Sequence, residues 1–206
     1  MKIKVCGMRD GVNVAEVASF GIDYMGFIFY PPSPRDCSGM EEWIPGGLPE
    51  GVKGVMVSVN MPEDELFAIV KRYGFDTVQL HGDESPDVCS SLKERGLTVF
   101  KALGVHDSKS LEETSRYEGS IDMFVFDTAS SKRGGTGKKF DWSLIAEYDG
   151  ETPFLLSGGI GLEDVAEISR IEHPKFAGVD LNSRFETAPG IKDAALVKTF
   201  IKEIKI

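Results

Sequence analysis

The chain is poor in the residues that metal, disulfide or nucleic-acid chemistry requires. Its three cysteines, Cys6, Cys37 and Cys89, are odd in number and widely spaced, which excludes a disulfide framework and gives no zinc-ligand spacing. The three histidines, His81, His106 and His173, are equally scattered, and no metal is expected. Positive charge is in deficit. A formal net charge of −10 argues against nucleic acid and anionic membrane surfaces as partners, though a pocket can still be locally positive. No apolar run approaches the ~20 residues that span a bilayer. The sequence starts on a strand-like segment, without a charged leader and cleavage site, so the expected compartment is the cytoplasm. No Gly-x-Gly-x-x-Gly follows that first strand, and no linker-like or low-complexity stretch divides the chain. The expectation is one domain over residues 1–206, with a full core.

What is present is alternation of strand and helix. Apolar, β-branched-rich runs occur at residues 2–6, 23–29, 52–59, 75–80, 97–103, 121–127, 153–157 and 176–181. They are continuous more than alternating, as parallel strands covered on both faces should be. Helical periodicity fills the gaps at 12–20, 63–73, 86–95, 108–117, 142–148, 162–171 and 192–204. Ser85-Pro86 and Asp141 read as helix starts, and acids at Glu63, Asp64 and Glu65 favour a first turn. The second connection contains Pro45, Gly46, Gly47 and Pro49, so helix 2 is expected to be short or irregular, at most one turn at 41–44. Eight units predict an α/β fold of the closed (β/α)8 TIM-barrel type over a doubly wound open sheet.

In such a barrel the active site lies on the rim formed by the carboxyl ends of the strands. Cys6-Gly7 follows the first strand and Tyr30-Pro-Pro-Ser-Pro-Arg35 the second. The fourth ends Gln79-Leu80-His81-Gly82, the sixth at Asp127, the seventh in Ser157-Gly158-Gly159 and the eighth in Asp180-Leu181-Asn182-Ser183-Arg184. A thiol and a carboxyl so placed form a candidate base and acid. Glycines let a phosphate approach backbone N–H groups, Gly158-Gly159 precedes a helix, and Asn182, Ser183 and Arg184 add donors. Arg35 offers a planar fork for a carboxylate. Strand parity puts Lys4 on the face of Cys6, inside the barrel, where the ammonium needs a partner such as Asp180 and would favour the thiolate. Asp127 follows Phe124-Val125-Phe126, an apolar setting that would raise its pKa. Alone, a strand-end cysteine is a small buried hydrophobe and two glycines are a turn. Cys37 and Cys89 keep that reading, and Lys101 reads as an internal salt-bridge partner outside the site. Six strands ending in polar or glycine-rich elements on one rim carry the functional reading.

These segments resemble the phosphoribosylanthranilate isomerase family of tryptophan biosynthesis. The resemblance rests on Lys4-Val-Cys-Gly7, Gly26-Phe-Ile-Phe-Tyr30 with Ser33-Pro-Arg35, and Val78-Gln-Leu-His-Gly82. It continues in Phe126-Asp-Thr128, Gly134-Gly135-Thr136-Gly137 with Phe140-Asp-Trp142, Leu156-Ser-Gly-Gly159, and Gly178-Val-Asp180 through Glu186 to Pro189-Gly190-x-Lys192-Asp193. It implies a cofactor-free barrel that converts N-(5-phosphoribosyl)anthranilate to 1-(2-carboxyphenylamino)-1-deoxyribulose 5-phosphate by an Amadori rearrangement. It further implies Asp127 as general acid, Cys6 as general base and Arg35 on the anthranilate carboxylate. Phosphate would sit at Gly158, Gly159, Asn182 and Ser183, and the Gly134–Gly137 loop, with Gly135, would fold over the substrate. His81 and Asp180, at the ends of the fourth and eighth strands, are expected to be further substrate-binding residues, with a hydrogen bond to the next loop as the plainer reading of His81.

The chain departs from the resemblance at Arg184, where many members carry a small residue. Arg184 contacts phosphate, points outward or alters specificity; the sequence leaves all three open, and leaves monomer against homodimer open too. A sugar-phosphate isomerase of histidine biosynthesis would be expected to carry Asp in place of Cys6. A non-catalytic phosphate-binding barrel would be expected to lose Cys6 or Asp127 while keeping the glycines.

Overall fold

A computed structural model describes residues 1–39, 47–128 and 139–204. Eight parallel strands close into a barrel in sequence order: β1 Lys2–Cys6, β2 Tyr24–Phe29, β3 Lys53–Ser58, β4 Thr77–Leu80, β5 Thr98–Val105, β6 Met123–Thr128, β7 Phe154–Leu156 and β8 Phe176–Leu181. The barrel is sealed by β1 pairing with β8, which sets Lys4 opposite Asp180. The period of two divides each strand's side chains between two cores. Inside lie Cys6, Val55, Val57, Phe100, Ala102, Met123, Val125 and Leu155. Outside, between strands and helices, pack Ile3, Val5, Phe27, Phe29, Phe124, Phe126, Phe154 and Val179 with the helix faces. Both faces are buried, which is why the runs are apolar throughout.

The helices are less regular than the periodicity predicts. Helices α1 Gly11–Ala18, α2 Glu63–Tyr73 and α3 Pro86–Glu94 form where expected. Ser85 caps α3 through Val88 N with Pro86 in its first turn, and the three acids occupy the first turn of α2. The predicted 108–117 helix divides into α4 Ser108–Glu112 and a 3-10 helix Glu113–Tyr117; Trp142–Glu147 is wholly 3-10. The 162–171 segment is a 3-10 turn, Leu162–Asp164, and a four-residue α5, Val165–Ile168. The last helix, α6 Ala194–Ile204, begins two residues later than predicted because Lys192 belongs to a hairpin, β9 Glu186–Ala188 and β10 Ile191–Lys192. Asp193 starts α6 instead, its side chain accepting from Leu196 N at 3.0 Å. The expected turn at 41–44 lies outside the described residues.

Candidate active site

The rim is organised around one buried ion pair. Lys4 Nζ donates to both Asp180 oxygens at 2.9 Å, with the two side chains 0% and 5% exposed. Burial opposes the Lys4 charge, yet Asp180 and Cys6 hold its pKa above the ordinary lysine range. Burial also pushes Asp180 up, but two short contacts to an ammonium mark the ionised pair as the form present.

Cys6 sits above this pair on the same strand. Its thiol is pushed up from its ordinary 9.0, foremost by burial, with Lys4 and Lys192 pulling the other way and Asp180 adding to the rise. This corrects the sequence expectation: Lys4 does face the sulfur, but desolvation outweighs it and the resting group is a thiol. Gly26 is what gives the sulfur room, since a Cβ there would stand 2.7 Å from Cys6 Sγ. Cys37 and Cys89 are buried hydrophobes, with pKa values pushed by burial to about 12 and about 11.

Asp127, near the end of β6, has its pKa raised to about 6. Burial dominates, Asp180 adds to it, and a hydrogen bond from Thr128 N at 2.8 Å and the charge of Lys4 work against it. The direction matches the sequence expectation; the source differs. Phe124 and Phe126 point out to the helices, and Asp127 shares the inner face with Met123 and Val125. His81 Nε2 stands 3.6 Å from Asp127 Oδ2. The Gln79 side-chain amide lies 3.1 Å from His81 Nδ1 and holds the ring with Nε2 turned toward Asp127.

Arg35 is reached by a loop that doubles back on β2, with Cys37 N donating to Ile28 O at 2.7 Å and Tyr30 N to Asp36 Oδ1 at 2.9 Å. Its fork is already engaged: Nε donates to Glu186 Oε1 at 2.8 Å and Nη2 to Glu186 Oε2 at 2.6 Å. Three of its five N–H groups remain. Asn182 accepts from Lys192 Nζ at 2.9 Å through Oδ1, leaving its amide hydrogens. Gly7, at φ +77°, separates the two; a Cβ there would lie 2.7 Å from Arg35 Cδ and 2.8 Å from Asn182 Oδ1.

Gly158 and Gly159 follow β7 at φ +90° and +66°, left-handed conformations open to glycine. A Cβ on Gly158 would stand 2.7 Å from Thr128 N and 2.9 Å from Asp127 Oδ1, so this turn abuts the acid. The helix start expected beyond it is only a 3-10 turn, and Asp164 Oδ2 occupies Gly161 N at 2.7 Å. Ser183 opens the 3-10 turn Ser183–Phe185 on the neighbouring loop. Arg184 pairs with Glu163 and is 44% exposed, at the outer edge of this station. Gly135 and its loop lie outside the described residues.

Glu186 and Lys192 were not in the predicted site. Lys192 reads as the first turn of a helix, and only the Pro189-Gly190 turn before it signals the hairpin that buries it. Counting charges at the rim, Lys4, Arg35 and Lys192 oppose Asp180 and Glu186, so the site is neutral with Asp127 ionised and carries +1 when Asp127 is protonated, within a chain of net −10. A closed parallel barrel presenting a protonatable acid, a thiol and three cationic side chains at its rim has the parts of an enzyme site for proton-transfer chemistry.

Comparison with known proteins names the particular class. The model of the N-(5'-phosphoribosyl)anthranilate (PRA) isomerase family matches residues 3–203. The chain is 45% identical over 206 residues to the isomerase of Parabacteroides distasonis, covering 99% of this chain and 93% of that protein. With the Phocaeicola vulgatus isomerase it shares 43% over 205 residues, covering 100% and 98%. Among solved structures, phosphoribosyl anthranilate isomerase from Thermotoga maritima superposes with a TM-score of 0.86 at 33% identity, covering 100% of this chain and 98% of that one. Another phosphoribosyl anthranilate isomerase, in complex with reduced 1-(o-carboxyphenylamino)-1-deoxyribulose 5-phosphate, superposes at 0.82 with 31% identity over 100% and 98%. The chain belongs to the phosphoribosylanthranilate isomerase family and is an enzyme of tryptophan biosynthesis.

Proposed function

We propose that Asp127 and Cys6 perform the Amadori rearrangement of N-(5-phosphoribosyl)anthranilate as general acid and general base. Asp127 gives its proton to the ribose ring oxygen; the C1–O bond breaks and the nitrogen lone pair closes a protonated Schiff base. Cys6, as thiolate, takes the proton from C2, and those electrons neutralise the iminium to an enolamine. Tautomerisation of the enolamine gives the ketone. The steps use proton transfers alone, each worth about 10²–10⁴ in rate. The observation that carries this reading is an acid raised to about 6 and a buried thiol flanking one Lys4–Asp180 pair, whose charges act on both.

The remaining N–H groups of Arg35 take the anthranilate carboxylate. The backbone N–H groups of the Gly158-Gly159 turn, with Asn182 and Ser183, take the phosphate; Asp180 and His81 line the sugar between. Loss of substrate fluorescence, with phosphoribosylanthranilate generated in situ, is the test. Wild type turns over, and Asp127→Asn and Cys6→Ser each lose orders of magnitude in kcat/KM; near-wild-type turnover by either variant overturns its role.

A further inference from the structure

A second buried ion pair lies at the rim, with no part in the proton transfers. We propose that Glu186 and Lys192 are positioning residues, which hold Arg35 and Asn182 at a fixed separation across Gly7 so that the two ends of an anionic substrate are received together. The proposal rests on the ligand roles given above to Arg35 and Asn182.

The four side chains form one hydrogen-bonded chain. Glu186 Oε1 accepts from Lys192 Nζ at 2.6 Å, Arg35 Nε at 2.8 Å and Gly190 N at 3.1 Å; Oε2 accepts from Arg35 Nη2 at 2.6 Å. Lys192 Nζ then reaches Asn182 Oδ1 at 2.9 Å. Both members of the pair are buried, their side chains 5% and 0% exposed. The chain is anchored outside the site as well. Asn13 on α1 clamps the backbone of Lys192 at both polar groups, accepting from its N at 2.7 Å and donating to its O at 2.9 Å. The β9–β10 hairpin therefore fixes Lys192, Lys192 fixes Glu186 and Asn182, and Glu186 fixes the guanidinium.

Stability alone does not account for this arrangement. Apolar side chains of the same volume hold two elements together as well as a buried ion pair does, without its desolvation penalty. They cannot orient a guanidinium or choose which end of an amide faces outward. With its fork held, Arg35 has already lost the rotamer freedom that binding would otherwise remove, so a ligand meets a preorganised donor. Burial opposes both charges and pulls Lys192 below the ordinary lysine range, while the facing Glu186 carboxylate, 2.6 Å away, supports its charged form. Arg35 and Lys192 pull Glu186 below the ordinary carboxylate range against the opposing effect of burial.

The test is a double-mutant cycle on KM with phosphoribosylanthranilate, melting temperatures being measured alongside. Misplacing a binding group by an ångström costs up to about 10²-fold, so Glu186→Gln should raise KM by about 10- to 100-fold; it also leaves the buried Lys192 ammonium without its carboxylate and lowers the melting temperature, so KM is read well below the transition. If Glu186 acts only through Arg35, the same substitution in an Arg35→Met background should add nothing. In an Asn182→Ala background Lys192→Met should lose only the part of its effect that runs through Asn182, the rest acting through Glu186 on Arg35. Should Glu186→Gln not fold, Glu186→Asp, which keeps the charge but withdraws it from the guanidinium, carries the same comparison. Equal effects of the substitution with and without Arg35 would overturn the proposal, as would an unchanged KM in Glu186→Gln while Arg35→Met raises it. An unchanged KM in Arg35→Met would overturn it too, by removing the group to be positioned; the acid and base roles would then still stand or fall on Asp127→Asn and Cys6→Ser.

Discussion

Replacing Asp127 by Asn should stabilise the protein while removing its activity, and the gain should depend on pH. The carboxyl ionises near 3.8 when unfolded and at about 6 in the fold, a difference of about 2.2 units. At ~1.36 kcal/mol per unit, the ionised group destabilises the fold by at most ~3 kcal/mol at neutral pH. The side chain keeps 18% of its exposure, so water recovers part of that, and ~1–3 kcal/mol is expected. Asn is nearly the same shape and its Oδ1 can still accept from Thr128 N, so it removes the charge without opening a cavity. The sign follows from linkage. A raised carboxyl pKa means that the folded state binds the proton more tightly, so the penalty is absent well below pH 3.8 and complete above pH 6. Urea unfolding of wild type and Asp127→Asn at pH 7.5 and near pH 4 should therefore show a gain at the higher pH that largely disappears at the lower. A variant equally or less stable than wild type at pH 7.5 would refute the idea that burial holds this acid in an unfavourable ionised state.

Other perturbations follow from the same geometry. Gly26→Ala puts a methyl 2.7 Å from the sulfur and should lower kcat/KM by about 10²-fold for a loss of ~1–3 kcal/mol in chemical denaturation. Arg184→Ser removes only an exposed pair with Glu163, worth about 0–1 kcal/mol, and should change KM less than about threefold; a larger rise would make Arg184 a phosphate ligand. Lys101→Met strands Glu84, which is 5% exposed, and should destabilise by about 3–5 kcal/mol in urea, with Lys101→Met/Glu84→Gln recovering much of it. In kcat/KM against pH, the acidic limb should fall near pH 6 and belong to Asp127, with the alkaline limb above pH 9 belonging to Cys6.

The barrel was legible because parallel strands buried on both faces write themselves as apolar runs, and eight such runs allow few topologies. Lys4–Asp180 was legible too: parity turned Lys4 inward, and a buried ammonium demands a carboxylate. Arg35–Glu186 was not, since the partners are 151 residues apart and an arginine in a Pro-Ser-Pro loop looks solvated. Lys192 reads as helix because Ile191-Lys192-Asp193 leads without a break into helical periodicity, whereas pairing with Glu186 across the hairpin and the backbone clamp from Asn13 make it a strand. The irregular helices look regular in the sequence for a related reason. A 3-10 turn buries one side of its residues as an α-helical turn does, so Trp142 and Ile145 give the same spacing signal in either form.

The pH assignment has a consequence for how turnover begins and ends. The proposed roles need Asp127 protonated and Cys6 ionised, but the pKa order is the reverse, about 6 for the acid and above 9 for the thiol. The productive form is then at most about 10⁻³ of the free enzyme between the two limbs, and its share is constant there, because each pH unit that ionises tenfold more thiol protonates tenfold less acid. The chemistry itself removes the proton from Asp127 and adds one to Cys6. Forward turnover thus leaves the enzyme in its most stable protonation state, the one a reverse reaction would use directly. Substrate bears on this step, since a molecule carrying a carboxylate and a phosphate adds negative charge beside Asp127. That charge raises the carboxyl's pKa and enlarges the protonated fraction when the acid is needed. Burial of the pair therefore does two opposed things. It keeps the free thiol protonated and inert, and it excludes the water that would otherwise screen the substrate's own charges from Asp127.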